Sequence, residues 1–118
     1  AVEPDNDRAL SAGTLALARL GDRDRTLEWA TRAMLLDPDN LNLRYNMSCA
    51  MVAIGAPDQA LELLKPAFKS MPRALLEWFK QDSDLDAIRD DPRIKEMLTQ
   101  AEDRIAQEER AVKVAAGG

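Results

Sequence analysis

Apolar residues recur every three or four positions along most of the chain, and no useful run alternates with period two, so the pattern predicts helices throughout. Arg8 to Leu20 reads as a first helix, with Asp5 or Asn6 as its cap. Leu10, Leu17 and Leu20 form its apolar face, with small Ala9, Ala12, Gly13 and Ala16 between them. Gly21 ends it, and Asp24 caps a second helix to about Leu36 through Leu27, Ala30, Ala33 and Met34. Pro38 blocks continuation, because it lacks an N–H and restricts the residue before it. The pattern then recurs. Asn40 caps a helix from Leu41 to Ile54, Gly55 stops it, Asp58 caps a helix from Gln59 to about Ser70, and Pro72 closes the unit.

The two paragraphs are in register at 34 residues: Gly21 with Gly55, Asp24 with Asp58, Leu27 with Leu61, Glu28 with Glu62, Ala33 with Ala67, and Pro4, Pro38 and Pro72 on the same step. A helix of a dozen residues is marginal alone, and a hairpin of two buries one face of each while leaving another open. Stacking the next hairpin covers that face, so such arrays need about three units or a cap. The third unit departs from the period. A helix from Arg73 to about Gln81 runs into Asp82-Ser83-Asp84-Leu85-Asp86, a short helical turn is predicted at Asp84–Arg89, and Asp91-Pro92 opens a long helix to about Val114.

Helix-turn-helix units of 34 residues, with Gly21/Gly55 at the turn, small Thr26/Ala60 and Ala33/Ala67 on the second helix and Pro38/Pro72 at the end, resemble tetratricopeptide repeats. The large aromatic near the start of each first helix is replaced by Leu10 and Arg44, and the small residue within that helix is Thr14 or Ser48. Trp78 occupies the aromatic position in the third unit, and Trp78 to Arg93 resembles the terminating segment of bacterial multidomain proteins such as class III adenylate/guanylate cyclases. The resemblance implies an all-α fold of helical hairpin repeats in an α-α superhelix. One domain over residues 1–118 would hold repeats at about 7–40 and 41–74 and a modified capping pair at about 75–115. Glu3-Pro4-Asp5-Asn6 reads as the end of an earlier repeat, so a fragment or processed chain is expected.

Composition narrows the function. Aromatics are 4% of the chain, and the net charge of −5 lacks the basic balance that a nucleic acid or an anionic membrane surface would need. No stretch reaches the roughly 18 apolar residues of a membrane span. The single Cys49 cannot pair internally and fits a reducing, cytoplasmic setting. There is no His to act as general base or neutral-nitrogen metal ligand, and the isolated or terminal glycines make no phosphate cradle. Cys49, between Ser48 and Ala50, reads as a small packing residue, with a reactive thiol as the alternative. Asp82, Asp84 and Asp86 mimic the start of a calcium loop, but Ala87 and Arg93 stand where its Gly and Glu belong. No catalytic residue, metal or cofactor is expected.

By the resemblance, the first helix of each pair lines a concave surface. Helical geometry puts Arg8, Ser11, Leu15 and Arg19 there, then Asn42, Tyr45, Cys49 and Val52, then Leu76 and Phe79. Arg8 and Arg19 suit an acidic peptide, and Tyr45 and Phe79 are either aromatic anchors or core. The clamp of chaperone-tail-binding members is not matched: Asn46 and Lys80 fit it, whereas Ser11, Leu15 and Leu76 do not. The expected function is a non-enzymatic protein-interaction module, a regulatory or scaffold part of a larger bacterial protein that binds a peptide or helix. The alternative is a homodimer through the first helix pair or the last helix. That last helix, with Ile94, Leu98, Ala101 and Ile105 on one stripe, is either a cap or a dimer helix.

Overall fold

A computed structural model describes residues 4–117, and side chains from Asn6 onward. Every element among the described residues is helical: α1 Pro4–Arg19, α2 Arg23–Leu36, α3 Leu41–Ala53, α4 Pro57–Ser70, α5 Arg73–Gln81, a 3-10 turn Ser83–Leu85, α6 Asp86–Arg89 and α7 Pro92–Ala115. α1 pairs with α2 and α3 with α4, α3 also packs on α1, and α7 lies across α4, α5 and α6. The stack is elongated, 53 × 33 × 20 Å.

The two hairpins share their turn chemistry. Gly21 and Gly55 have φ of 79° and 73°, a region closed to most side chains, so glycine is required at both turns. At the first turn Gly21 N–H donates to Ala18 O and Asp22 N–H to Leu17 O. At the second Gly55 N–H donates to Val52 O and Ala56 N–H to Met51 O, the same double-bonded helix end. Thr26, Ala33, Ala60 and Ala67 are at most 1% exposed, so two helix seams approach closely at equivalent points. Thr14 and Ser48 are both fully buried and bond their own helix backbones at Leu10 O and Tyr45 O, 2.7 and 2.6 Å.

The helix starts differ from expectation. Asp5 and Asn6 lie inside α1, which Pro4 opens with the φ suited to a first turn. Residues 1–3 of the expected upstream repeat lie outside the described residues. The cap of α2 is Asp22, which accepts from Arg25 N–H at 3.2 Å, because the turn at Gly21 is short; Asp24 sits in the first turn. α4 starts at Pro57 without a side-chain cap, and Asp58 contributes charge at its positive end. Asn40 and Asp91 cap α3 and α7 as anticipated, accepting from Leu43 and Arg93 N–H at 3.0 and 2.8 Å. Leu20, placed on the apolar face by spacing, is 82% exposed beyond the last turn of α1.

Arginines occupy the helix ends that lack partners. Arg104 donates to Phe68 O and Met71 O at 3.1 and 2.7 Å and fastens α7 over the end of α4. Arg23 reaches Ile54 O at 2.6 Å, and Arg89 reaches Phe79 O at 3.2 Å and Asp82 O. Pro66 inside α4 has no N–H for the Glu62 carbonyl a turn earlier, and Arg44 donates one residue further on, to Leu63 O, at 3.3 Å.

The proximal half of α7 is a cap. Ile94, Ala101 and Ile105 are buried, whereas every residue from Gln107 to Gly117 is exposed. The central core is α3, where Leu43, Met47, Ala50 and Met51 are at most 2% exposed. Met47→Ala is expected to cost about 2–5 kcal/mol in urea unfolding, as for other buried large-to-small changes. Arg104→Ala is expected to cost about 1–3 kcal/mol by leaving carbonyls without their donor, against about zero for exposed Arg110→Ala.

Candidate functional site

α1 and α3 run side by side and leave a cleft of about 530 Å³ between them. Its walls come from one stripe of each helix: Asp7, Arg8, Ser11 and Leu15 from α1, Asn42 and Asn46 from α3. The floor is small and polar because Ser11 is 8% exposed and close packing leaves no room there for a long side chain. Asn46 Nδ2 donates to Ser11 Oγ at 3.3 Å, which leaves its carbonyl and one N–H without a partner among the described residues. Arg8 and Asn42 are exposed and make no side-chain hydrogen bond among the described residues.

At one end Asn40 is fully committed. Its Oδ1 caps α3, and its Nδ2 donates to Asp7 Oδ2 and to Asp37 Oδ2, the latter at 3.1 Å. Asp7 Oδ1 is buried without a partner among the described residues. The cleft therefore offers a guanidinium and two amides, donors and acceptors of the kind that an extended backbone requires. Among the described residues its lining holds no nucleophile–base pair.

The structure brings together Arg8, Ser11, Leu15 and Asn42 of the residues that spacing placed on this face. Arg19 is exposed and outside the cleft. Tyr45, Cys49 and Phe79 are corrected from groove to core, at 5%, 5% and 0% exposure, and Leu76 is buried with them. The 3-10 turn after α5 folds back against α3 and covers the stripe that a simple stack would leave open. Phe79 packs edge-on between Tyr45 and Phe68, at centroid distances of 6.4 and 5.0 Å. Tyr45 donates to Asp82 Oδ2 at 2.8 Å, and Asp82 Oδ1 accepts from Asp84 N–H at 3.0 Å. Burial first and the Asp82 carboxylate second hold the Tyr45 hydroxyl protonated well beyond its ordinary range.

Ligand atoms of Cys49, Asp82 and Asp84 lie within 4.8 Å of one another, a convergence that the calcium-loop comparison did not anticipate. The Asp82 oxygens are spent on Tyr45 and Asp84, and burial together with the Asp82 charge pushes the Cys49 thiol up to about 12 from 9.0. A thiol held so far above neutrality is a packing group.

Spacing did not reveal two further clefts, because each depends on which helices meet across the stack. One, of about 690 Å³, runs between α4 and α7; the other, of about 560 Å³, runs between α2 and α4. No helix among the described residues is long and apolar enough to cross a membrane. No family model, curated protein or solved structure matches the chain.

The Cys49 environment makes a direct prediction. At pH 8 a thiolate-selective disulfide reagent should label the native protein at least about a hundredfold more slowly than the urea-unfolded chain, since the thiolate is the attacking form. Equal rates would mean that the thiol is neither buried nor raised.

Proposed function

We propose that this chain is a tetratricopeptide-type interaction module that holds an extended segment of a partner protein in the cleft between α1 and α3. The observation that carries this proposal is the row Arg8, Asn42 and Asn46, polar side chains on two neighbouring helices with hydrogen-bonding capacity left over. Amides on a rigid helix can grip a peptide backbone whatever its sequence, and Arg8 adds preference for a carboxylate. The repeat reading is supported by the shared glycine turns, the equivalent small residues and the helix order. In this account the module is a non-enzymatic regulatory or scaffold part of a larger cytoplasmic bacterial protein, in keeping with the likeness of Trp78–Arg93 to the repeat-terminating segment of cyclases.

Self-association is the second reading, favoured by the exposed distal half of α7, where Val112 and Val114 are 68% and 71% exposed. Light scattering across a concentration series separates the two: a monomer to high micromolar removes the dimer.

Arg8→Glu/Asn42→Ala should lower recovery of the partner from bacterial lysate about tenfold or more, two polar contacts and one charge being lost. Arg19→Glu, outside the cleft, should leave recovery unchanged. Undiminished recovery by the double variant would place the binding face elsewhere.

A further inference from the structure

The cleft between α4 and α7 lies on a different face from the one described above. Its apolar floor is Phe68, Met97 and Ala101, and its volume of about 690 Å³ is that of a site for a few side chains. Four cations, Lys65, Lys69, Arg93 and Arg104, and one carboxylate, Glu96, border it.

Two of these cations already have partners. Arg93 is shared by Asp58 and Asp91 at 3.2 and 2.9 Å, and Arg104 holds Glu108 at 3.2 Å while its other nitrogen serves the end of α4. Lys65 and Lys69, one turn apart on α4, have no carboxylate within 4.0 Å among the described residues. Both are exposed and line the cleft beside Phe68. The neighbouring cleft, between α2 and α4, is rimmed instead by Asp58 and Glu62. Asp58, Glu62, Lys65 and Lys69 thus share one stripe of α4, the carboxylates toward its N-terminal end and the lysines toward its C-terminal end, so the unpaired cations stand only where α4 borders the distal part of the α7 cleft.

We propose that the α4–α7 cleft docks an acidic segment of a partner protein, with an apolar side chain on Phe68 and Met97 and flanking carboxylates on Lys65 and Lys69. The floor supplies burial and the two lysines supply selection and rate, so binding weakens as salt rises. This face works independently of the α1–α3 cleft, and one module could hold two segments at once.

Panning a random twelve-residue peptide library on the intact chain, with the Lys65→Glu/Lys69→Glu variant as counter-selection, tests the proposal. Recovered peptides should carry Asp or Glu on both sides of a Leu, Phe or Trp. In fluorescence anisotropy their affinity should fall about tenfold or more with the double reversal, the scale of two lost charge pairs, and should be unaffected by Arg8→Glu/Asn42→Ala. The milder Lys65→Gln/Lys69→Gln variant should show the same direction, and melting curves matching wild type confirm that both variants fold. Recovery of only neutral or basic peptides, or of none, overturns the proposal. So does binding that is indifferent to the lysines, or a wild-type dimer that the lysine variants dissociate. Equal competition by a twenty-nucleotide single-stranded DNA would assign the basic rim to phosphate and overturn it as well. Loss of binding with the Arg8/Asn42 variant alone would support the α1–α3 cleft and overturn this one, so the two sites fail separately.

Discussion

α3 is enclosed over most of its surface, and this constraint organises the rest of the chain. Leu43, Tyr45, Met47, Ser48, Cys49, Ala50 and Met51 are all buried, and the one stripe left open carries Asn42, Asn46 and Ala53. A helix that is apolar over most of its circumference is stable only when neighbours cover that surface. α1 covers one side, α4 another, and the 3-10 turn after α5 a third. The close approaches need small residues at the contacts, which Ala50, Ala60 and Ala67 supply. The polar atoms inside this shell are matched, Ser48 to its own helix and Tyr45 to Asp82.

Covering α3 creates open helix ends, and the chain meets them with arginine. A guanidinium has several donors in a fixed fork, so one side chain from a neighbouring helix can bond two terminal carbonyls. Arg104 does this for α4, and Arg89 for the end of α5. These bonds tie the third unit and α7 to the hairpins. The surface network of Arg73 and Lys80 with Glu77, Glu102 and Glu109 adds α5–α7 pairing in solvent, where such pairs contribute little. Function is left to the seams. Where two helices diverge, a cleft opens whose chemistry is that of the two stripes bordering it.

Helix number and order were legible because the breakers are local signals. Gly21, Gly55, Pro72 and Pro92 act through their own backbone and need no tertiary context. The caps were harder: Asp22 and Asp24 both stand near the start of the second helix, and only the length of the turn decides between them. The candidate face was half legible. Arg8, Ser11, Leu15 and Asn42 obey the stripe, and the structure adds Asn46 beside them. Tyr45, Cys49 and Phe79 obey the same stripe but are covered by a turn that breaks the 34-residue period. The apolar and small residues at positions 47–51 were the signal that α3 is enclosed. The α4–α7 cleft could not be read from spacing, because α7 falls outside the repeat.

Residue-resolved hydrogen exchange tests the enclosure of α3 most directly. If α3 is the enclosed spine, amides from Met47 to Met51 exchange only through global unfolding and share its denaturant dependence, while those of α7 beyond Glu108 exchange orders of magnitude faster. Exchange of the Met47–Met51 amides by local opening, at rates like those of the α7 tail, would contradict it.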